Sequence, residues 1–128
     1  MRTLRFQHVS IPRPPGSASQ EVARRFYSGL LGLCEIPVPA TLSASDLIWF
    51  QVGDAELHVF AEPAFDTAAA QHFCLEVPDL DALRERLAAA GFAIMAGSGI
   101  SGRPRFFCRD PFGNNIEFTT IIGDYRLG

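Results

Sequence analysis

Two segments of the chain open with the same Gln-His pair and continue as alternating apolar runs: QHVSI at Gln7–Ile11 and QHFCLEV at Gln71–Val77. Their histidines, His8 and His72, lie half of the 128-residue chain apart. Self-similarity on that scale constrains the fold more than any local propensity, because one small chain must then hold two copies of one supersecondary unit. The elements after each segment repeat as well. The first half reads as a strand (Leu4–Ile11), a loop rich in Pro, Gly and Ser (Pro12–Ser19), and a helix with Val22, Phe26 and Leu30 on one face. The second half reads as a strand (His72–Val77), a Pro-Asp break, and a helix over Leu80–Ala90 whose apolar positions Leu80, Leu83, Leu87 and Ala90 follow helical spacing, with Gly91 at the stop.

Three short strand-like runs follow each helix: Cys34–Val38, Leu47–Val52 and Ala55–Ala61, then Ala93–Ala96, Arg105–Arg109 and Asn115–Ile121. A glycine turn joins the last pair in both halves, FQVGDAELHVF answering DPFGNNIEFTT. Each half is expected to be a βαβββ unit, module one at about 1–63 and module two at about 70–122, in a single α+β domain over 1–128. The length allows one domain with a real core. A net charge of −3 without a basic run excludes a nucleic-acid binder of the usual electrostatic kind. No segment has the length of a membrane span or of a secretory h-region. Three widely spaced cysteines (Cys34, Cys74, Cys108) without a CxxC speak against a disulfide framework and for a reducing, cytoplasmic setting.

Strand alternation decides which residues share a face. Phe6, His8 and Ser10 oppose Val9 and Ile11; His72, Cys74 and Glu76 oppose Phe73, Leu75 and Val77. The apolar faces are expected to pack on the helices. Two related half-sheets curled around a common cavity would then turn His8 and His72 inward. Glu117 sits between Ile116 and Phe118, and His58 between Leu57 and Val59, so both face away from the apolar packing side. A carboxylate and three imidazoles in one concave face suit a divalent metal, and two histidines plus one carboxylate leave open coordination positions. A lone histidine among apolar neighbours is more often a hydrogen-bonded structural residue, and repeat symmetry is what lifts His8 and His72 above that reading. Glu56 shares a face with His58, so the first-half ligand is either. His58 is preferred because it holds the hydrophobic-X-hydrophobic position that Glu117 holds.

QHVSI, the helix ending FYSGLLGL, QHFCLEVPDLDALRERLAAAG and RDPFGNNIEF together resemble the vicinal oxygen chelate superfamily, which includes glyoxalase I, extradiol dioxygenases and the fosfomycin- and bleomycin-resistance proteins. The resemblance implies a curved mixed sheet around a metal-binding cup, with each half supplying a ligand from its first strand. It implies a divalent ion (Fe, Mn, Ni, Zn or Co) at His8, His72 and Glu117, with His58 as fourth ligand or as an acid/base beside them. It also implies a homodimer and a metal-dependent lyase or extradiol-type dioxygenase acting on a small oxygenated molecule. Extradiol enzymes usually carry a tyrosine about ten residues before the ligand glutamate. Here that region reads RFFCRD, with Phe106 and Phe107. Fosfomycin-resistance enzymes bind a phosphonate through cationic contacts, for which Arg103, Arg105 and Arg109 are the candidates, the simpler reading being solvated edge-strand charges. Trp49, Phe60, Phe106 or Phe107 are candidates for an aromatic cup wall, and Ala96–Arg103 for a mobile flap. The alternative function is a metal-free, ligand-sequestering protein of the bleomycin-resistance type.

Overall fold

The computed structural model describes residues 3–67 and 69–127. Residues 1, 2, 68 and 128, inside the expected domain span, lie outside the described residues. The chain divides into two compact units, 1–66 and 67–128. The first contains β1 (His8–Arg13), α1 (Ser17–Arg24), β2 (Cys34–Ile36), β3 (Leu47–Val52) and β4 (Ala55–Ala61). The second contains β5 (Phe73–Glu76), α2 (Leu80–Ala89), β6 (Met95–Ala96), β7 (Arg105–Arg109) and β8 (Asn115–Thr119). Their sheets have one topology. The orders are β1-β4-β3-β2 and β5-β8-β7-β6, with the first strand of each unit parallel to its last and the other pairs antiparallel. The fold is α+β, built from two βαβββ modules, each carrying a four-stranded mixed sheet.

In module one the helix-facing side of the sheet buries Ile11, Ile48, Phe50, Leu57 and Val59, against Ala23, Phe26 and Tyr27 of the helical segment. In module two Phe106, Cys108, Ile116 and Phe118 are buried, as are Leu80, Leu83 and Leu87 of α2. Each fully buried large side chain contributes roughly 1.5–3 kcal/mol. Asp79 caps α2 by accepting the Ala82 N–H at 3.1 Å. Gly91, at φ 92°, closes the helix, with the Phe92 N–H donating to the Leu87 carbonyl at 3.0 Å.

Several boundaries differ from the sequence expectation. β1 starts at His8, not Leu4, and Leu4 and Phe6 are 95% and 87% exposed. The cause is pairing: its one neighbour, β4, begins its ladder at Glu56 opposite His8, so earlier residues run past the β3–β4 turn with no strand beside them. The same ladder carries β1 on to Arg13, opposite Ala61. β2 stops at Ile36 because Pro37 has no N–H to give. The first helix changes to a wider π-helical turn over Arg25–Leu30, which moves its buried stripe. Ser19, Ala23, Phe26 and Tyr27 are buried, while Val22 and Leu30 are only half-buried. Ala90 is exposed beyond the last turn of α2.

Arg13 is an exception to the apolar helix side. It is fully buried, and its guanidinium donates to the Ser19 hydroxyl at 2.9 Å, the Asp46 carbonyl at 3.0 Å and the Asp46 carboxylate. Asp46 in turn accepts the Gly16 N–H at 2.7 Å and the Gln20 amide at 2.6 Å. The Pro- and Gly-rich turn before α1 is therefore tied to the start of β3 by buried polar contacts. Among the described residues no helix is long and apolar enough to cross a membrane.

Candidate functional site

Alternation leaves each module one sheet face that is not covered by its helical segment, and the sequence candidates lie there. In module one the β3–β4 turn, with Gly53 at φ 57°, pairs Val52 with Ala55. That register sets Trp49 opposite His58, and β1 sets Ser10 opposite His58 and His8 opposite Glu56. In module two Cys74 and Phe107 are the ladder partners of Glu117. Ser10 follows His8 by two residues as Cys74 follows His72. His58 and Glu117 are thus equivalent positions of the repeat, and Trp49 and Phe107 are likewise equivalent.

His58 is 8% exposed and stands between two rings. Trp49 stacks on it at 3.9 Å and 4°, and His8 at 4.1 Å and 17°. Its Nε2 is 2.8 Å from Glu56 Oε1. The Glu56 carboxyl is held below its usual range, chiefly by that hydrogen bond and against an opposing effect of burial, with Gln7 adding to the lowering. His8 Nδ1 lies 2.5 Å from Gln7 Oε1, an acceptor, so Nδ1 is the donor of that contact and Nε2 is the nitrogen left for a ligand. A metal ion lies in the plane of an imidazole that binds it, about 2.0–2.1 Å from the nitrogen for zinc. Two stacked planes tilted by 17° do not meet that close to either ring. While the stack holds, one of His8 and His58 can serve a given ion, not both. The indole Nε1 of Trp49 is buried without a partner.

Glu117, 3% exposed, is the buried carboxylate of module two. Its Oε1 is 3.1 Å from His72 Nε2. Its Oε2 accepts from an Arg103 amino group at 3.0 Å and lies 3.5 Å from one of Arg105. His72 Nδ1 is 3.0 Å from the Ala70 carbonyl. A carbonyl only accepts, so Nδ1 is the protonated nitrogen. With Nδ1 on the carbonyl, Nε2 faces a carboxylate oxygen, and the position between them is one that a proton or a metal ion fills. A histidine whose second nitrogen is fixed by a carbonyl, beside a carboxylate whose far oxygen is hydrogen-bonded, is the pattern of oriented metal ligands. The residues present therefore fit a divalent ion at His72 and Glu117. Among the described residues no group of three or more His, Cys, Asp or Glu side chains is already gathered to hold one.

Phe107 meets the His72 ring edge-on at 5.0 Å. Phe106 points the other way, into the core with Phe118, and so cannot be a wall residue. Phe60 is half-buried on the Glu56–His58 side of β4. The Ala96–Arg103 segment is tethered. The Ile122 N–H donates to the Gly102 carbonyl at 2.8 Å, and Arg105 Nε donates to the Ser98 carbonyl at 3.2 Å. Arg109 is spent on the carbonyls of Thr67 at 2.5 Å and Gly113 at 2.7 Å. Cys74 is exposed as a residue, but its thiol is pushed up to about 11, by burial first and by the Glu117 charge second. The two arginines on Glu117 were not assigned to it from sequence. The signal was there: Arg105, Phe107 and Arg109 alternate onto the face that β8 gives Glu117.

The model of the glyoxalase/bleomycin resistance protein/dioxygenase superfamily matches residues 16–118. The chain belongs to that superfamily. Solved structures agree. A protein from Bacillus anthracis assigned to the glyoxalase family superposes with a TM-score of 0.84 at 32% identity, over 94% of this chain and 99% of its own. The fosfomycin resistance protein FosX of Mesorhizobium loti (0.70, 18%, 99% and 98%) and the lactoylglutathione lyase of Agrobacterium tumefaciens (0.68, 19%, 93% and 95%) share the fold. No curated protein matches the sequence. The superfamily includes metal-dependent lyases and dioxygenases, and many of its members bind divalent metals and small molecules.

Proposed function

We propose that this superfamily member is a metal-dependent enzyme, a lyase or an extradiol-type dioxygenase, acting on a small, oxygenated, partly hydrophobic substrate. The observation that carries the proposal is the His72–Glu117 pair, in which a fixed Nδ1–H leaves Nε2 facing Oε1 across 3.1 Å. His72 and Glu117 are the proposed donors in module two, and His8 is the proposed donor in module one. A divalent ion held there supplies Lewis-acid stabilisation of negative charge developing on a chelated substrate oxygen. Of the two roles open to His58, fourth ligand or acid/base, the stack on His8 favours the second. Its Nε2 lies 2.8 Å from Glu56 Oε1, a carboxylate with which it can exchange a proton, and the stacks with Trp49 and His8 fix the orientation of the ring. Phe107 and Trp49 supply the apolar part of substrate contact. The unpaired thiols support a reducing compartment, the cytoplasm.

The second reading, a metal-free binding protein, is favoured by one observation: Arg103 and Arg105 already compensate Glu117. Elemental analysis of protein purified without chelator, followed by thermal shift with Ni, Zn, Fe(II), Mn and Co, separates the two. Near-stoichiometric metal, or a clear rise in Tm that His72→Ala abolishes, is expected. No uptake of any of these ions leaves the sequestering reading in place. Light scattering of the purified protein checks the homodimer.

A further inference from the structure

We infer that Arg103 and Arg105 are a built-in counter-charge for Glu117. They hold its buried carboxylate in place when no metal is bound, and for that reason they weaken the grip of this site on a divalent ion. The inference rests on the metal reading of His72 and Glu117.

A carboxylate this buried is costly without a partner, yet an exchangeable metal cannot be its only one. The two guanidiniums solve this on the oxygen that His72 does not use, Oε2, at 3.0 and 3.5 Å. They are not solvated edge charges, because their side chains are only 19% and 17% exposed. Both are held from behind. Arg103 lies over the Tyr125 ring at 5.0 Å, and Arg105 over Phe107 at 5.3 Å, with its Nε on the Ser98 carbonyl. The chain also leaves room for Arg105: a Cβ at Gly97 would meet its Cζ and Nε at 3.0 Å. One carboxylate facing two guanidiniums leaves a net positive cluster before any ion arrives. A dication at Oε1 would sit across a single carboxyl group from two fixed like charges, in surroundings that screen them poorly.

The opposite sign is the usual expectation for groups that hydrogen-bond a ligand carboxylate, whose loss weakens metal binding by about 10–100-fold. The sign therefore decides. Zn²⁺ and Ni²⁺ affinities are measured by competition with a chromogenic chelator for wild type, Arg103→Gln, Arg105→Gln and the double variant, with Tm recorded without and with the ion. The inference expects the double variant to bind roughly tenfold tighter or more, to melt below wild type when metal-free, and to gain more Tm on metal addition than wild type does. Unchanged or weaker affinity overturns it and makes the arginines outer supports. If the double variant does not fold, Arg105→Gln alone, which removes the longer contact, must still bind tighter. Wild type that binds metal with no variant improved sinks this inference alone. If neither wild type nor any variant binds metal, it falls together with the metal reading. Wild type that fails to bind while the double variant binds supports it.

Discussion

The two modules share topology and register, yet they hold their polar sheet faces by different means. In module one the repeat position is His58, kept in place by flat rings on both sides, with Glu56 at its edge. In module two the same position is Glu117, kept by two guanidiniums and an imidazole. Ring stacking is worth about a kcal/mol per pair and tolerates loss of one member. A buried ion cluster does not, because removing one charge strands the others. Module one has its own buried charge, Arg13, but places it on the helix side, away from the candidate donors.

The largest expected effect tests that placement. Arg13→Ala should cost about 3 kcal/mol in urea unfolding, since it empties a fully buried site and takes the donor from the Ser19 hydroxyl and the Pro14, Gly16 and Asp46 carbonyls. A cost under about 1 kcal/mol would mean that the cluster is solvated in solution. Next, Glu117→Ala should destabilise the metal-free protein by about 2 kcal/mol and His58→Ala by no more than about 1 kcal/mol. Equal losses would break the contrast between charge and stacking.

The hairpin glycines sharpen it further. Gly53 and Gly113 both have positive φ, at 57° and 92°. A Cβ at Gly53 meets open space, whereas one at Gly113 would lie 2.7 Å from Thr67 Cβ, in a residue whose carbonyl Arg109 holds. Gly53→Ala should cost about 1 kcal/mol and Gly113→Ala about twice that or more. The smallest effect is in pH. The hydrogen bond from Arg13, with those from Gly16 and Gln20, lowers Asp46 from 3.8 to about 2. A depressed carboxyl adds stability above its unfolded pKa and loses it as pH falls toward the folded one. The urea midpoint should therefore drop between about pH 4 and pH 2, by an amount worth about 1 kcal/mol at a partly solvated site, and Asp46→Asn should flatten that part of the profile.

The repeat itself was legible because it is written in period-two alternation and glycine turns. β3, β4 and β7 run over the residues the alternation marks, since a hairpin turn fixes the closed end of each ladder and with it the register. β1 slipped because its limits are set by where β4 lies, a non-local fact. The first helix slipped because a π-helical turn moves the buried stripe without leaving a composition signal. Phe106 and Phe107 show the rule at its plainest: adjacent residues take opposite faces, and only the register of β7 on β8 says which one meets His72 and which one the core.

The sequence by itself determined the two βαβββ modules, the apolar faces that pack on the helices, and the placing of His8, His58, His72 and Glu117 on the faces opposite, because alternation and periodicity are local properties of the chain. Tertiary structure alone decided what those side chains do there. That His58 is clasped between Trp49 and His8, that His72 spends its Nδ1–H on Ala70, and that Arg103 and Arg105 converge on one oxygen of Glu117 are consequences of strand register and of loops returning from distant positions. Hydrogen bonds and charge pairing depend on distances of a few ångströms between residues that the sequence does not place side by side.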